Sequence, residues 1–137
     1  MIPIEGLEDI ASDYDGMLID QFGVLHDGMK LYPGSLDVLT HLHALEIPVA
    51  VMTNSGKRTS ANIARLTKIG IPREYYADAV SSGEVAYERL RSSKAKRAFI
   101  IGKDGEDYGF DQFQLVRRPQ DADVILILGS NAPQTSR

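Results

Sequence analysis

The chain contains no cysteine and no tryptophan. Without thiols there are no disulfides and no thiolate metal sites, although this alone does not fix the compartment. Long apolar runs are missing too. The longest, residues 124–128, falls far short of the roughly 20 residues that a membrane span needs. Met1 is followed by Ile2-Pro3-Ile4-Glu5, with neither a basic nor an apolar leader segment, so no secretory signal is expected. Charge of one sign is not concentrated: 15 Lys and Arg stand against 19 Asp and Glu, a net charge of −4. The basic stripe of a nucleic-acid binder is absent. These absences lead to the expectation of a soluble, cytoplasmic protein whose partners include neither nucleic acid nor membrane. The oligomeric state is left open. What is present is an ordinary globular composition, 43% hydrophobic and 25% charged. A chain of 137 residues buries roughly two-thirds of its unfolded surface, enough for a real core.

One stretch organises the rest: Met17-Leu18-Ile19-Asp20-Gln21-Phe22-Gly23-Val24-Leu25-His26-Asp27-Gly28. A short apolar strand delivers a carboxylate to its end and then breaks at glycine, the way open α/β sheets present a reactive group beyond the carboxyl ends of their strands. Asp is also a common turn residue, so these twelve positions alone do not separate a site from a turn. The nearby Asp13-Tyr14-Asp15-Gly16 resembles a catalytic motif but has no apolar strand before it. It reads as the turn that launches the first strand, after a weak helical lead-in with Leu7 and Ile10.

Downstream, Pro33-Gly34 opens a helix whose apolar stripe is Leu36, Leu39, Leu42 and Leu45. His41 and His43 lie on different sides of it, a poor metal geometry, and read as rim residues. Val49-Ala50-Val51-Met52 is a buried-type strand ending in Thr53-Asn54-Ser55-Gly56, followed by a helix over 58–69 with Ile63, Leu66 and Ile69 inward. Gly70 and Pro72 stop it. A third strand, 78–81, runs into Ser81-x-x-Glu84, which has the form of a capping box, and a helix to Arg91 with Val85 and Leu90 inward. Strand and helix alternate three times, the signature of a parallel βαβ sheet. Residues 92–96 form a polar break. Beyond it come strands at 98–101 and 124–128, a further candidate at 113–116, and a short helix or loop over 103–109. The chain stops directly after a buried strand, which suggests a truncated product.

On a parallel sheet the ends of the first two strands are neighbours, so Asp20 and Thr53 are expected to share a pocket floored by the backbone amides of 21–23 and 54–56. A carboxylate attacks phosphorus or binds a divalent cation, and hydroxyl and amide donors hold anionic oxygens. Leu18-Ile19-Asp20-x-x-Gly23-Val24-Leu25, Pro33-Gly34, Val51-Met52-Thr53-Asn54 and Val80-Ser81-Ser82, in this order and spacing, resemble the haloacid-dehalogenase-like (HAD) hydrolases. More narrowly they are similar to class IIA, the NagD-like and nitrophenylphosphatase-like branch, over about residues 17–128. The resemblance implies an α/β fold: a Rossmann-like parallel sheet core in residues 1–92, with an inserted α/β cap of the C2 type beginning in residues 93–137. It implies Mg²⁺-dependent hydrolysis of a small phosphorylated metabolite through an aspartyl-phosphate on Asp20. Thr53 then hydrogen-bonds the phosphoryl group, with the Asn54 backbone and the amides at Phe22 and Gly23 beside it. Asp20 and the backbone carbonyl of Phe22 hold the Mg²⁺. The family's motif lysine and later acidic metal-binding pair are expected beyond Arg137, so residues 1–137 by themselves are expected to be inactive. Lys57, the lysine nearest Thr53 in sequence, reads as solvent-facing.

One departure stands out. The family's second aspartate, two residues after the nucleophile, is Phe22 here. That aspartate protonates the leaving group and activates water, a function worth typically ~10²–10⁴-fold in rate. Asp27 or His26 is a conceivable substitute. The alternative reading is therefore a catalytically impaired relative that binds a phosphometabolite or regulates. A phosphorelay receiver also combines an acceptor Asp with a Thr, but needs an acidic pair at the first strand end.

Overall fold

The protein is described from a computed structural model, covering residue 3 and residues 5–129. The expected truncation signal at 132–137 lies outside these residues. The order of elements is β1 (Met17–Asp20), α1 (Ser35–Ala44), β2 (Val49–Thr53), α2 (Thr59–Lys68), β3 (Asp78–Ser81), α3 (Ser82–Arg91), β4 (Arg97–Ile101), β5 (Gln114–Leu115) and β6 (Val124–Ile127). Short 3-10 turns occupy Leu7–Asp9, Ala11–Asp13, Arg73–Tyr75 and Pro119–Asp121. The lead-in is thus two 3-10 turns rather than an α-helix, and the segment over 103–109 is turn and coil.

Two sheets form, in the order β1-β2-β3 and β5-β4-β6. The β1–β2, β4–β5 and β4–β6 pairings are parallel; an α-helix makes the β1–β2 crossover, while β4, β5 and β6 are joined by turns and coil. The α/β, Rossmann-like character expected from the sequence is what the structure shows. Contacts divide the chain into two compact units. One comprises residues 1–53 and 60–80; the other comprises residues 54–59 and 81–137. The polar break at 92–96 lies inside the second.

In the first unit, strand alternation puts Met17 and Ile19 against the core and leaves Leu18 and Asp20 on the other face. The core is built from Leu39 and Leu42 of α1, Val49 and Val51 of β2, Leu66 of α2, Ile71, Tyr76 and Ala79. Leu36 and Leu45, expected inward, are 37% and 48% exposed. Each step of three residues turns a helix by about 300°, so a stripe spaced by three drifts steadily around the barrel and only its middle stays on the core. Asn62 and Leu66, one turn apart, are the buried positions of α2.

The second unit packs α3 and the 102–113 segment on one face of β4 and β6. Ala98, Tyr108, Phe110, Phe113 and Leu126 are its buried core, with Ala86, Tyr87 and Leu90 of α3 against it. Val85, expected inward, is 55% exposed. It lies five residues from Leu90, about 140° around a helix, so the two do not share a face. The inward set is Gly83, Ala86, Tyr87 and Leu90, at the i, i+3, i+4, i+7 spacing of a core face.

The cap of α3 forms only half of the expected box. Ser81 Oγ accepts from the Glu84 amide at 3.1 Å. The Glu84 carboxylate turns instead to Arg58, whose Nε and Nη2 donate to it at 3.0 and 2.8 Å, and to the Thr59 amide at 2.8 Å. The Arg58 guanidinium also stacks on Tyr87, 3.2 Å from the ring centroid. This fork lowers the Glu84 pKa below its ordinary value, chiefly through the hydrogen bonds from Arg58. A depressed carboxylate contributes stability that is full above its unfolded value of 4.5 and is lost as pH falls through the lower folded value. The expected outcome is that Glu84→Gln costs about 1 kcal/mol at pH 7. Urea titrations repeated at decreasing pH should show the gap from the wild type closing below pH 4.5.

Candidate active site

The loop that leaves β1 is folded around a single carbonyl. The amides of Val24, Leu25 and His26 all donate to Gln21 O, at 3.3, 2.8 and 3.2 Å. The Gly23 amide donates to His26 O at 2.9 Å, and Gln21 N donates to Met52 O of β2 at 3.1 Å. The result is a tight coil with Asp20 at its start and Phe22 at its outer edge. Asp20 is exposed; its Oδ1 accepts from the Gln21 amide at 2.7 Å. Oδ2 has no hydrogen-bond partner among the described residues.

The strand register sets the two strand ends side by side. Asp20 stands opposite Met52, and Thr53 lies one residue further along β2. With strands ~4.8 Å apart and a rise of ~3.3 Å per residue, their Cα atoms are about 6 Å apart. They are neighbours on adjacent strands but alternate in facing.

Neither proposed substitute for the second aspartate presents an exposed proton. The Asp27 Oδ1 accepts from the amides of Met29 and Lys30, at 2.8 and 2.9 Å, and these bonds lower its pKa, that from Lys30 most. It is an ionised turn carboxylate. His26 is 2% exposed, and its Nδ1 accepts from the Gly28 amide at 3.0 Å. That bond places the ring proton on Nε2, a buried atom without a partner among the described residues. Burial, then the charge of Arg65, holds the His26 pKa below its ordinary value, against the opposing pull of Asp27 and Asp20.

Phe22 is 52% exposed. Its ring stands edge-on to His26, 6.1 Å between centroids. Gly28, at φ 100°, closes the loop where a Cβ would meet Arg65 Nη2 at 2.9 Å and Phe22 Cε2 at 3.1 Å. Arg65, from α2, donates to Gly28 O at 2.7 Å. Sequence reasoning missed this clamp, which joins residues 37 apart and follows from no local pattern.

Asn54 belongs to the second unit. Its Oδ1 accepts from Ser82 Oγ at 2.6 Å. In the same unit Lys57, expected to face solvent, forms an ion pair with Glu106. His41 and His43 are exposed as expected, and His43 packs on Tyr75, 5.3 Å between ring centroids.

Among the described residues no group of three or more His, Asp or Glu side chains is placed to hold a metal ion. The Asp20 carboxylate and the Phe22 carbonyl, which accepts no backbone hydrogen bond among the described residues, are nevertheless oxygen ligands of the kind Mg²⁺ takes. That ion usually keeps several waters and needs only one or two protein carboxylates beside substrate phosphate. The chemistry of the two groups fits the ion.

Along β1, beside Asp20, runs an apolar cavity of about 680 Å³ whose lining includes Leu18, Val24, Tyr14 and Tyr32. Among the described residues β1 pairs with β2 on one side only. No described helix is long and apolar enough to cross a membrane.

Residues 17–115 match the family model of the haloacid dehalogenase-like hydrolases. The chain belongs to that family. A haloacid dehalogenase-like hydrolase from Brucella suis 1330 aligns over 99% of this chain and 52% of its own, at 25% identity and a TM-score of 0.83. The glycerol phosphate phosphatase of Mycobacterium tuberculosis, solved in complex with magnesium, aligns over 93% of this chain and 39% of its own, at 22% identity and a TM-score of 0.63. The 4-nitrophenylphosphatase of Thermotoga maritima aligns over 85% and 45%, at 21% identity and a TM-score of 0.61. At such identities the last two share the fold alone, which is the level at which the class IIA resemblance is matched. The chain spans about half the length of the first solved structure it matches. No curated protein matches it.

Proposed function

We propose that the protein of which these residues form part is a Mg²⁺-dependent phosphatase acting on a small phosphorylated metabolite through an aspartyl-phosphate on Asp20. The observation that carries this reading is the exposed Asp20 at the carboxyl end of β1, at the mouth of a loop closed by its own hydrogen bonds, in a chain of the haloacid dehalogenase-like family. In-line attack asks the protein for position and electrostatic support rather than for covalent complexity.

Asp20 Oδ2 is the attacking atom, because Oδ1 is held by the Gln21 amide. The Phe22 amide supplies a donor to the phosphoryl oxygens, and the resemblance adds the hydroxyl of Thr53, one step along the neighbouring strand. The Gly23 amide joins them only by releasing His26 O. The resemblance adds the Asn54 backbone, the next residue in the chain. Asp20 and the Phe22 carbonyl would hold Mg²⁺, which neutralises phosphoryl charge when bound. On the same reading, residues 1–92 belong to the core and residues 93–137 begin the cap.

The phenyl ring at position 22 favours a second reading, a phosphometabolite-binding protein with impaired turnover. The deciding experiment is phosphate release from nitrophenyl phosphate by the protein expressed from its complete reading frame, with Mg²⁺ and then with a chelator. Release that stops on chelation supports the enzyme. Saturable binding of orthophosphate without release supports the binding protein.

A further inference from the structure

The loop after Asp20 has three positions from which a proton could be passed to a departing group, and none presents one. Position 22 is a phenyl ring. The His26 proton sits on a buried Nε2, with Nδ1 occupied by the Gly28 amide. The Asp27 carboxylate is ionised and turned onto the amides of Met29 and Lys30. The ring of Phe22 is half exposed, two residues after Asp20, and offers an apolar surface where a proton donor would be needed.

We infer that the site takes phosphates whose leaving group departs without a proton: aryl or acyl phosphates with weakly basic, apolar leaving oxygens, rather than phosphates of alcohols. This rests on the reading of Asp20 as nucleophile. In the first step Oδ2 bonds to phosphorus as the bond from phosphorus to the leaving oxygen breaks. The electron pair stays on that oxygen, which leaves as an aryloxide or carboxylate anion, and no proton moves. In the second step water attacks the phosphorus of the aspartyl-phosphate. The bond to Asp20 breaks, the carboxylate returns as the anion, and both protons of the water remain on the released dihydrogen phosphate. A carboxylate is itself a weakly basic leaving group, so this step also needs no acid. On this reading the Phe22 ring, edge-on to His26, flanks the leaving group and shields it from water.

The test is the dependence of rate on leaving-group basicity, measured with Mg²⁺ on the protein from its complete reading frame. Dinitrophenyl, nitrophenyl and phenyl phosphates form the series, with glycerol phosphate as the alcohol ester. The rate should fall by roughly 10²–10⁴-fold from dinitrophenyl to phenyl phosphate, the worth of the missing acid, and glycerol phosphate should not be hydrolysed above background. Phe22→Asp, which supplies both an acid for the leaving group and a base for the water, should raise the phenyl phosphate rate by about 10²-fold or more and raise it more than the dinitrophenyl rate, so that the dependence on leaving group flattens. Phe22→Leu, which keeps the position apolar, should keep the steep dependence. Release that requires Asp20 yet is equally fast across the series overturns the inference and leaves the phosphatase reading standing, since a proton donor then reaches the site from elsewhere. Absence of release from every substrate, with Asp20 unmodified, overturns both.

Discussion

Asp20→Asn should lower phosphate release by roughly 10³–10⁶-fold, the range lost when a nucleophile is removed from a preorganised site. The substitution is nearly isosteric. The amide oxygen of Asn still accepts from the Gln21 amide, the one hydrogen bond the Asp20 side chain makes among the described residues. Nothing in the core changes, because Asp20 lies on the face of β1 away from Met17 and Ile19. What disappears is the negative charge and the attacking oxygen. Thermal unfolding of the variant should therefore stay close to that of the wild type while turnover collapses. A variant retaining activity within tenfold of the wild type would remove Asp20 from the chemistry.

Gly83→Ala should produce the largest loss of stability, about 3 kcal/mol or more. Gly83 is buried in the first turn of α3, and its amide donates to Ser55 O at 3.0 Å. A Cβ there would stand 2.2 Å from Gly56 O and 2.5 Å from both the Gly56 carbonyl carbon and Lys57 O. These are backbone atoms, so no rotamer change relieves the contact. Intrinsic helix propensity points the other way, favouring Ala over Gly by up to about 1 kcal/mol. The steric term wins, because the 54–57 segment would have to move and break the bonds from the Gly83 amide to Ser55 O and from Ser81 Oγ to Lys57 O. Val85→Ala, on the exposed side of the same helix, should cost within about 0.5 kcal/mol. Chemical denaturation of both variants reads the comparison. Equal, small changes would mean that the 54–57 segment does not press on α3.

Strand positions were the most legible part of the sequence, because Met17–Asp20, Val49–Thr53 and Val124–Ile127 are apolar runs bounded by turn residues. The position of Asp20 was legible for the same reason: an apolar strand ending on an acid. Helix faces were read less well. Leu36, Leu45 and Val85 are apolar residues at spacings that drift off the core face, and hydrophobicity alone does not reveal the drift. The state of the loop was not legible at all. That His26 is buried with its proton inward, and that Asp27 is used up by Met29 and Lys30, follows from how residues 21–30 curl on one another. The clamp from Arg65 to Gly28 joins α2 to this loop, and neither end carries a signal of the other. Register was equally hidden. Both strands end where expected, but the single-residue offset that sets Thr53 past Asp20 is decided by backbone pairing.

The covalent state of Asp20 during turnover tests the central claim most directly. The protein from its complete reading frame is mixed with dinitrophenyl phosphate and Mg²⁺, quenched in acid, and reduced with borohydride, which converts an aspartyl-phosphate to homoserine. Peptide mass spectrometry then reads position 20. Homoserine at position 20, absent when substrate is omitted, is the predicted result. Unmodified Asp20 in a preparation that is releasing phosphate would contradict it.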